Sequence, residues 1–110
     1  MPASYAPERG DIVWLQFSPQ SGHEQAGHRP ALVISPREYN RRVGLALFCP
    51  ITSRSKGYPF EVALKAGTVQ GVVLADQVKS LDWQARKARL AGRVSHEAME
   101  EVRARLHTLI

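Results

Sequence analysis

Two polar loops hold the residues of this chain best suited to chemistry. The first, residues 18–29 (SPQSGHEQAGHR), supplies a carboxylate at Glu24, imidazoles at His23 and His28 and a guanidinium at Arg29, and it runs into Pro30. The second, residues 52–57 (TSRSKG), supplies hydroxyls at Thr52 and Ser53 and an amine at Lys56. A group that takes a proton, cations that hold negative charge and hydroxyls that donate hydrogen bonds together suit work on a phosphodiester, and they need no metal. Metal ligation has no comparable signal. The four histidines and the lone Cys49 form no H-x3-H or C-x2-C pattern, and His23 and His28 stand five apart in a loop, so neither a metal nor a cofactor is expected.

The chain around these loops is small and basic. Its 110 residues make one domain, 1–110, able to bury a single core without staples. The net charge of +5 is spread evenly: residues 1–57 carry seven basic and four acidic side chains, and residues 58–110 carry eight and six. A basic surface on a folded domain favours a polyanionic partner, because each phosphate neutralised by Lys or Arg releases a counterion. Cys49 lies in the apolar run 45–51 and reads as a buried structural thiol. No apolar stretch is long enough to span a bilayer, and residues 1–10 (MPASYAPERG) lack the pattern of a secretory signal, so no membrane association and a cytoplasmic location are expected.

Strand periods dominate the elements that must position the loops. Residues 12–17 (IVWLQF), 31–35 (ALVIS) and 45–51 (LALFCPI) are short apolar runs bounded by Gly, Pro and polar residues. Residues 60–64 alternate as a half-buried strand would, 71–78 supply another, and 90–94 a sixth. Trp14 and Trp83 read as core or interface residues rather than platforms for a ligand. Ser95 can cap a C-terminal helix whose Met99, Val102, Leu106 and Leu109 share a face, with glutamates early and arginines late. A short helical turn is expected at 36–40, capped by Ser35, with Pro36 in the first position. Short strands closed by one helix predict a mainly β fold, a strongly curved sheet or partly open barrel.

Four segments carry a family resemblance: residues 24–31 (EQAGHRPA), 50–53 (PITS), 55–62 (SKGYPFEV) and 74–80 (LADQVKS). In this order over one small domain they resemble the MazF/PemK family of toxin endoribonucleases, and most closely its MazF branch. The resemblance covers nearly the whole chain, from Arg9 to the final helix. It implies an SH3-like small barrel, a homodimer, and sequence-specific cleavage of single-stranded RNA, usually messenger RNA, without a metal. It also implies a MazE-like acidic antitoxin, partly disordered, that wraps the toxin and blocks its RNA groove.

RNA cleavage of this kind uses the neighbouring 2′-hydroxyl as nucleophile and leaves 2′,3′-cyclic phosphate and 5′-hydroxyl ends. It needs a base, an acid and positive charge at the phosphorane. By motif the family's essential arginine and threonine fall on Arg29 and Thr52. Arg29 can donate to two phosphate oxygens at once and stays charged at any working pH, while the Thr52 hydroxyl can donate to a non-bridging oxygen. Glu24, which the family motif carries in the loop over the site, is the candidate general base, with His28 as its rival. For RNA binding, Lys56 can pair with a phosphate or a base edge, Asp76 and Gln77 can read base edges, and Phe17 can stack on a base. Ser53 and Lys79 are further RNA-binding candidates. Arg54 stands where the best-known member has an uncharged polar residue, so no cleavage motif is carried over.

Two other classes share features with the chain. A gyrase poison of the CcdB type has the same fold but resembles a C-terminal helix ending in a tryptophan-containing tripeptide, whereas this chain ends Thr108-Leu109-Ile110. A non-catalytic SH3-like nucleic-acid-binding module would explain the basicity, but not the joint placement of Glu24, Arg29 and Thr52 in the toxin motifs.

Overall fold

The computed structural model describes residues 5–16 and 28–110. Among these the elements run β1 (Asp11–Gln16), β2 (His28–Val33), α1 (Arg37–Val43), β3 (Leu45–Thr52), β4 (Glu61–Ala66), β5 (Val69–Leu74), β6 (Lys79–Asp82), β7 (Arg89–Arg93) and α2 (His96–His107). All pairings are antiparallel, in the order β4-β5-β3-β2-β1-β7, with β6 paired to β3 beside this path. The path curls until its ends meet. A Cβ on Gly67, just after β4, would stand 3.0 Å from the Ala91 carbonyl oxygen of β7, and one on Gly92 would stand 3.4 Å from Ala66. The outcome is a mainly β small barrel with a C-terminal helix, as the residue pattern predicts, and of the SH3-like kind that the family resemblance implies.

The three central strands are buried on both faces, which explains why β1, β2 and β3 read as nearly continuous apolar runs. Successive side chains of a strand point to opposite faces, so alternate residues feed two cores. Ile12, Leu32, Cys49 and Ile51 face the barrel interior with Val62, Leu64, Val73 and the α2 residues Met99 and Val102. Val13, Leu15, Ala31, Val33, Ala46 and Phe48 face outward, where Ala6 and Trp83 cover them. Cys49 is fully buried, and burial, with the nearby Asp76 charge, pushes its thiol up to about 12. It is the inert structural residue its surroundings in the sequence predict.

The strand β3 changes partner along its length. Residues Leu45 to Phe48 pair with β6, and Ile51 and Thr52 pair with β5, while β2 lies along the other side at Phe48 to Pro50. The Leu47 carbonyl accepts from Ile34 N–H at 2.8 Å, and the Leu47 N–H donates to Ser35 Oγ at 2.9 Å, so Leu47 bonds toward β2. By alternation Pro50 turns its nitrogen the other way, toward the gap where β6 ends and β5 begins. A proline is tolerated there because no ladder requires its missing N–H.

Local differences from the sequence expectation have identifiable causes. The helix at 36–40 begins one residue later, with Pro36 rather than Ser35 at the N-cap position and no side-chain cap there. Ser35 is occupied elsewhere, since its hydroxyl donates to Asn40 Oδ1 at 2.5 Å as well as accepting from Leu47. Glu8 takes over instead: its carboxylate accepts the Arg37 N–H at 2.8 Å, and that bond leads the causes that hold its pKa below the usual range. The strand expected over 71–78 ends at Leu74 in β5, because the Gln77 N–H donates to the Leu74 carbonyl and turns the chain there, and β6 lies beyond the expected span, unpredicted by the sequence pattern. Ser95 caps α2 as predicted, accepting from Ala98 N–H at 3.1 Å. Leu109 does not join the buried face; α2 ends at His107, and Leu109 stays 53% exposed. The N-terminal segment is fixed through Asp11, which is buried and accepts from Tyr5 Oη at 2.5 Å, Glu8 N–H at 3.0 Å and the Arg93 guanidinium. Burial, with the Asp11 bond second, drives the Tyr5 phenol far above its ordinary value, so this tie holds at neutral pH and weakens only above about pH 10.

Gly71 sets how closely β5 approaches β3. A Cβ at this position would lie 2.3 Å from the Thr52 carbonyl oxygen and 3.0 Å from its carbonyl carbon, both backbone atoms that cannot rotate aside. Gly71→Ala is therefore expected to lower stability by about 1–3 kcal/mol or more, the range for overpacking. A denaturant midpoint equal to that of the parent chain would show that the two strands can separate without cost.

Candidate active site

The end of β3 and the loop that follows it form one wall of a pocket of about 400 Å³, lined by Thr52, Arg54, Lys56, Tyr58, Glu61, Leu74 and Gln77. Thr52 is delivered by β3 and held by its pairing with Val72 of β5. Its Oγ1 accepts the Arg54 N–H at 3.2 Å, a short turn of the kind Ser and Thr favour. Because the backbone uses the oxygen as an acceptor, the hydroxyl proton remains to be donated outward.

The loop 53–57 keeps its shape through Glu61, the first residue of β4. Its carboxylate accepts from Ser55 Oγ at 2.7 Å and from Lys56 N–H at 2.9 Å. These bonds, the Lys56 one foremost, lower the Glu61 pKa from its ordinary value. Gly57 then adopts φ 73°, a left-handed conformation that glycine takes without strain, and the chain turns into Tyr58 and Pro59. From the far side, the Arg105 guanidinium of α2 donates to the Pro59 carbonyl at 3.0 Å. Loop and helix are thereby joined.

The residues lining this pocket come from β3, β4, β5 and their loops and none from β2, which instead carries Arg29 alongside β3. The β2–β3 ladder runs from Val33 and Phe48 to Ala31 and Pro50, and two residues beyond its last pair come Arg29 on one strand and Thr52 on the other. Residues two apart in a strand share a face, and cross-strand partners do too. Arg29 and Thr52 therefore extend from the same side of the sheet as Ala31 and Pro50. Arg29 pairs with Leu15, and His28 with Gln16; both Arg29 and His28 are exposed. The Gln16–His28 pair is also where the segment 17–27 leaves and rejoins the sheet, and Arg86 braces this point by donating to the Gln16 carbonyl at 2.9 Å. Glu24 and Phe17 belong to that segment and lie outside the described residues.

Of the remaining candidates, Gln77 lines the pocket with Lys56 and Thr52. Ser53 is exposed at the start of the loop, and Lys79 is exposed on β6, paired with Phe48. Asp76 does not line the pocket. Its Oδ2 accepts from the Tyr58 hydroxyl, and its Oδ1 is buried without a partner among the described residues. Four pocket residues had no role assigned from the sequence: Arg54, Tyr58, Glu61 and Leu74. Glu61 and Leu74 sit in alternating strand patterns that read as packing or solvent positions, and only the fold brings them to the mouth of the loop.

Comparison with known proteins shows the family and the fold. The family description PemK-like, MazF-like toxin of type II toxin-antitoxin system matches residues 8–110. The chain is 49% identical to the endoribonuclease toxin MazF of Escherichia coli K12 over 110 residues, covering all of this chain and 99% of that protein. In structure it is similar to a crystal structure of MazF from Deinococcus radiodurans, with a TM-score of 0.85 and 53% identity over 96% of this chain and 97% of the other. A MazE–MazF crystal structure from the same organism gives a TM-score of 0.86 and 48% identity over 96% of each chain.

The Glu61 anchor has a definite pH sign. A carboxylate whose folded pKa is depressed stabilises the folded loop above its unfolded value and ceases to do so as pH falls through the folded one. The Lys56 amide proton shift is expected to titrate with a midpoint below 4.5, the ordinary glutamate value, and to lose this titration in Glu61→Gln. A midpoint at or above that value would mean that Glu61 does not hold the loop.

Proposed function

The chain belongs to the PemK-like, MazF-like toxin family of type II toxin–antitoxin systems, and we propose that, as an endoribonuclease toxin of that family, it cuts single-stranded RNA at short sequence motifs without a metal. The observation that carries this reading is the pocket at the end of β3, where Thr52, Arg54, Lys56 and Gln77 converge, with Arg29 two residues past the last β2–β3 pair. A phosphate set against Thr52 meets a hydroxyl donor, two cations from the loop and the guanidinium from β2. That is the polarity required by the dianionic phosphorane formed when a 2′-hydroxyl attacks.

In this mechanism the 2′-oxygen forms a bond to phosphorus as its proton passes to a base, and the 5′-oxygen leaves after receiving a proton. Arg29 and Thr52 stabilise the charge that develops on the non-bridging oxygens. Such preorganised donors are typically worth about 10²–10³-fold in rate each. Glu24 is the favoured base and His28 the rival. His28 is exposed at the start of β2, next to Arg29, within the same edge of the site. Lys56 and Gln77 hold the flanking nucleotides, with Ser53 and Lys79 as outer contacts, and Phe17 completes the base-binding set. The working unit is a homodimer of the single domain 1–110, acting in the cytoplasm; among the described residues no helix is long and apolar enough to cross a membrane.

The test is cleavage of a long single-stranded RNA in excess EDTA, with the new 5′ ends mapped. Discrete cuts with 5′-hydroxyl and 2′,3′-cyclic phosphate ends are expected, lost by at least about 100-fold in Arg29→Ala and Thr52→Ala while RNA affinity stays within a few-fold. If Glu24→Gln cuts at the parental rate while His28→Ala does not, histidine is the base. Cleavage that requires added metal would overturn the mechanism.

A net charge of +5 suits an acidic antitoxin laid along the same groove as the RNA, and one similar crystal structure is of MazE–MazF from Deinococcus radiodurans. Binding by such a disordered acidic segment is expected to weaken steeply with salt and to compete with RNA. Isothermal titration with an acidic segment of a MazE-like protein, across salt concentrations, checks this; affinity independent of salt would point to an apolar interface instead.

A further inference from the structure

Tyr58 is oriented in a way that packing alone does not require. Its ring is 43% exposed, leans on Phe60 on one side with centroids 5.9 Å apart, and lines the pocket that contains Thr52 and Lys56. Its hydroxyl points away from the pocket and donates to Asp76 Oδ2. The turn that carries Asp76 is itself pinned, with the Ala75 N–H donating to the Phe60 carbonyl at 2.9 Å and the Gln77 N–H to the Leu74 carbonyl at 3.1 Å. Backbone ties fix the other end: the Glu61 N–H donates to the Tyr58 carbonyl at 3.0 Å, and Arg105 holds Pro59. A partly exposed aromatic ring that lines the pocket and is held at its backbone and at its hydroxyl has little orientational freedom left to lose when a flat ligand stacks on it.

We propose that Tyr58 is a stacking platform for one nucleobase of the RNA, and that Asp76 acts as the residue that positions it rather than as a reader of base edges. The inference rests on the reading of this pocket as an RNA-cleaving site. Asp76 suits the positioning role, since one oxygen is engaged by Tyr58 and the other is buried, so neither is presented to a base. The hydrogen bond to Asp76 raises the phenol pKa from its ordinary value. Every base has a π-face, so stacking holds the nucleotide without choosing it, and the neighbouring Gln77 amide is left to read its edge. Nothing in the spacing of the sequence distinguishes this tyrosine from a packing residue. Its partner lies 18 positions away, on a different turn.

The experiment uses a short RNA carrying the mapped cleavage motif, with a 2′-deoxy substitution at the scissile nucleotide to prevent cutting and 2-aminopurine placed at each position in turn. The wild-type protein is expected to quench fluorescence at one position. Tyr58→Leu should lose that quenching and raise KM for the cleavable RNA by about 10-fold, within the usual range for loss of one stacked base, with kcat at saturating RNA within about twofold. Tyr58→Phe keeps the ring and should keep the quenching, and Asp76→Asn should fall between the two. Where Tyr58→Leu does not fold, photocrosslinking of wild-type protein to RNA bearing 5-iodouridine at the quenched position should map to Tyr58. Parental KM and quenching in folded Tyr58→Leu, or a crosslink that avoids Tyr58, would overturn the stacking role while leaving the nuclease reading intact. A wild-type protein that neither binds nor cuts RNA would overturn both.

Discussion

Everything at the site depends on how the strand β3 divides its hydrogen bonds. An antiparallel strand offers its backbone groups alternately to either side, and β3 uses one side for β2, at Phe48 to Pro50, while sharing the other between β6 and β5. Pro50 stands at the change of partner, where an N–H would have no acceptor in either ladder. Gly71 then lets β5 come close enough to pair with Thr52, because any Cβ there would collide with the Thr52 carbonyl. The hydroxyl that faces the pocket is thus mounted on a strand held on one side by β5 and, two residues earlier, on the other by β2. A site that must hold a reacting phosphate to within a fraction of an ångström gains more from such a mount than from a residue on a free loop.

The carboxylates near the pocket are used for architecture. Glu61 binds the loop 53–57 through Ser55 and Lys56, and Asp76 receives the Tyr58 hydroxyl. Glu61 accepts two donors and Asp76 one, and these hydrogen bonds offset part of the repulsion that each carboxylate would exert on a phosphate. Arg54 and Lys56 supply the positive charge that remains, and Arg29 approaches from β2. The helix α2 contributes indirectly. Its Met99 and Val102 close the barrel core, and its Arg105 secures the Pro59 carbonyl. The terminal helix and the loop over the pocket are therefore parts of one packed unit.

Much of this was readable in the chain. The runs at 12–17, 31–35 and 45–51 announced β1, β2 and β3 because strands buried on both faces must be apolar almost throughout, and the Ser95 cap with its early glutamates announced α2. Arg29, Thr52, Lys56 and Gln77 stood out because their polar types interrupt or end apolar runs in family-like segments. Ser35 was misjudged as a helix cap because nothing local shows that its hydroxyl is needed by Asn40 and Leu47. The run 71–78 was taken as one strand because Ala75 and Val78 continue the apolar pattern across a turn that a backbone hydrogen bond makes. Asp76 stood out because its segment is polar and family-like, whereas its hydrogen bond with Tyr58 has no local signature.

Residue order alone was sufficient for the class of fold, the basic surface and the family, since periodicity, charge and short motifs are local properties that survive without knowledge of any partner. The surroundings of Tyr58, Gly71 and Pro50 come from contacts between residues far apart in the chain, whereas Glu61 reaches back only to Ser55 and Lys56. A glycine matters at 71 because a carbonyl of β3 passes beside it, and a proline is harmless at 50 because two strands happen to end and begin there. Those are relations in space between groups brought together by a curled sheet, and no window along the chain contains both members of any of them.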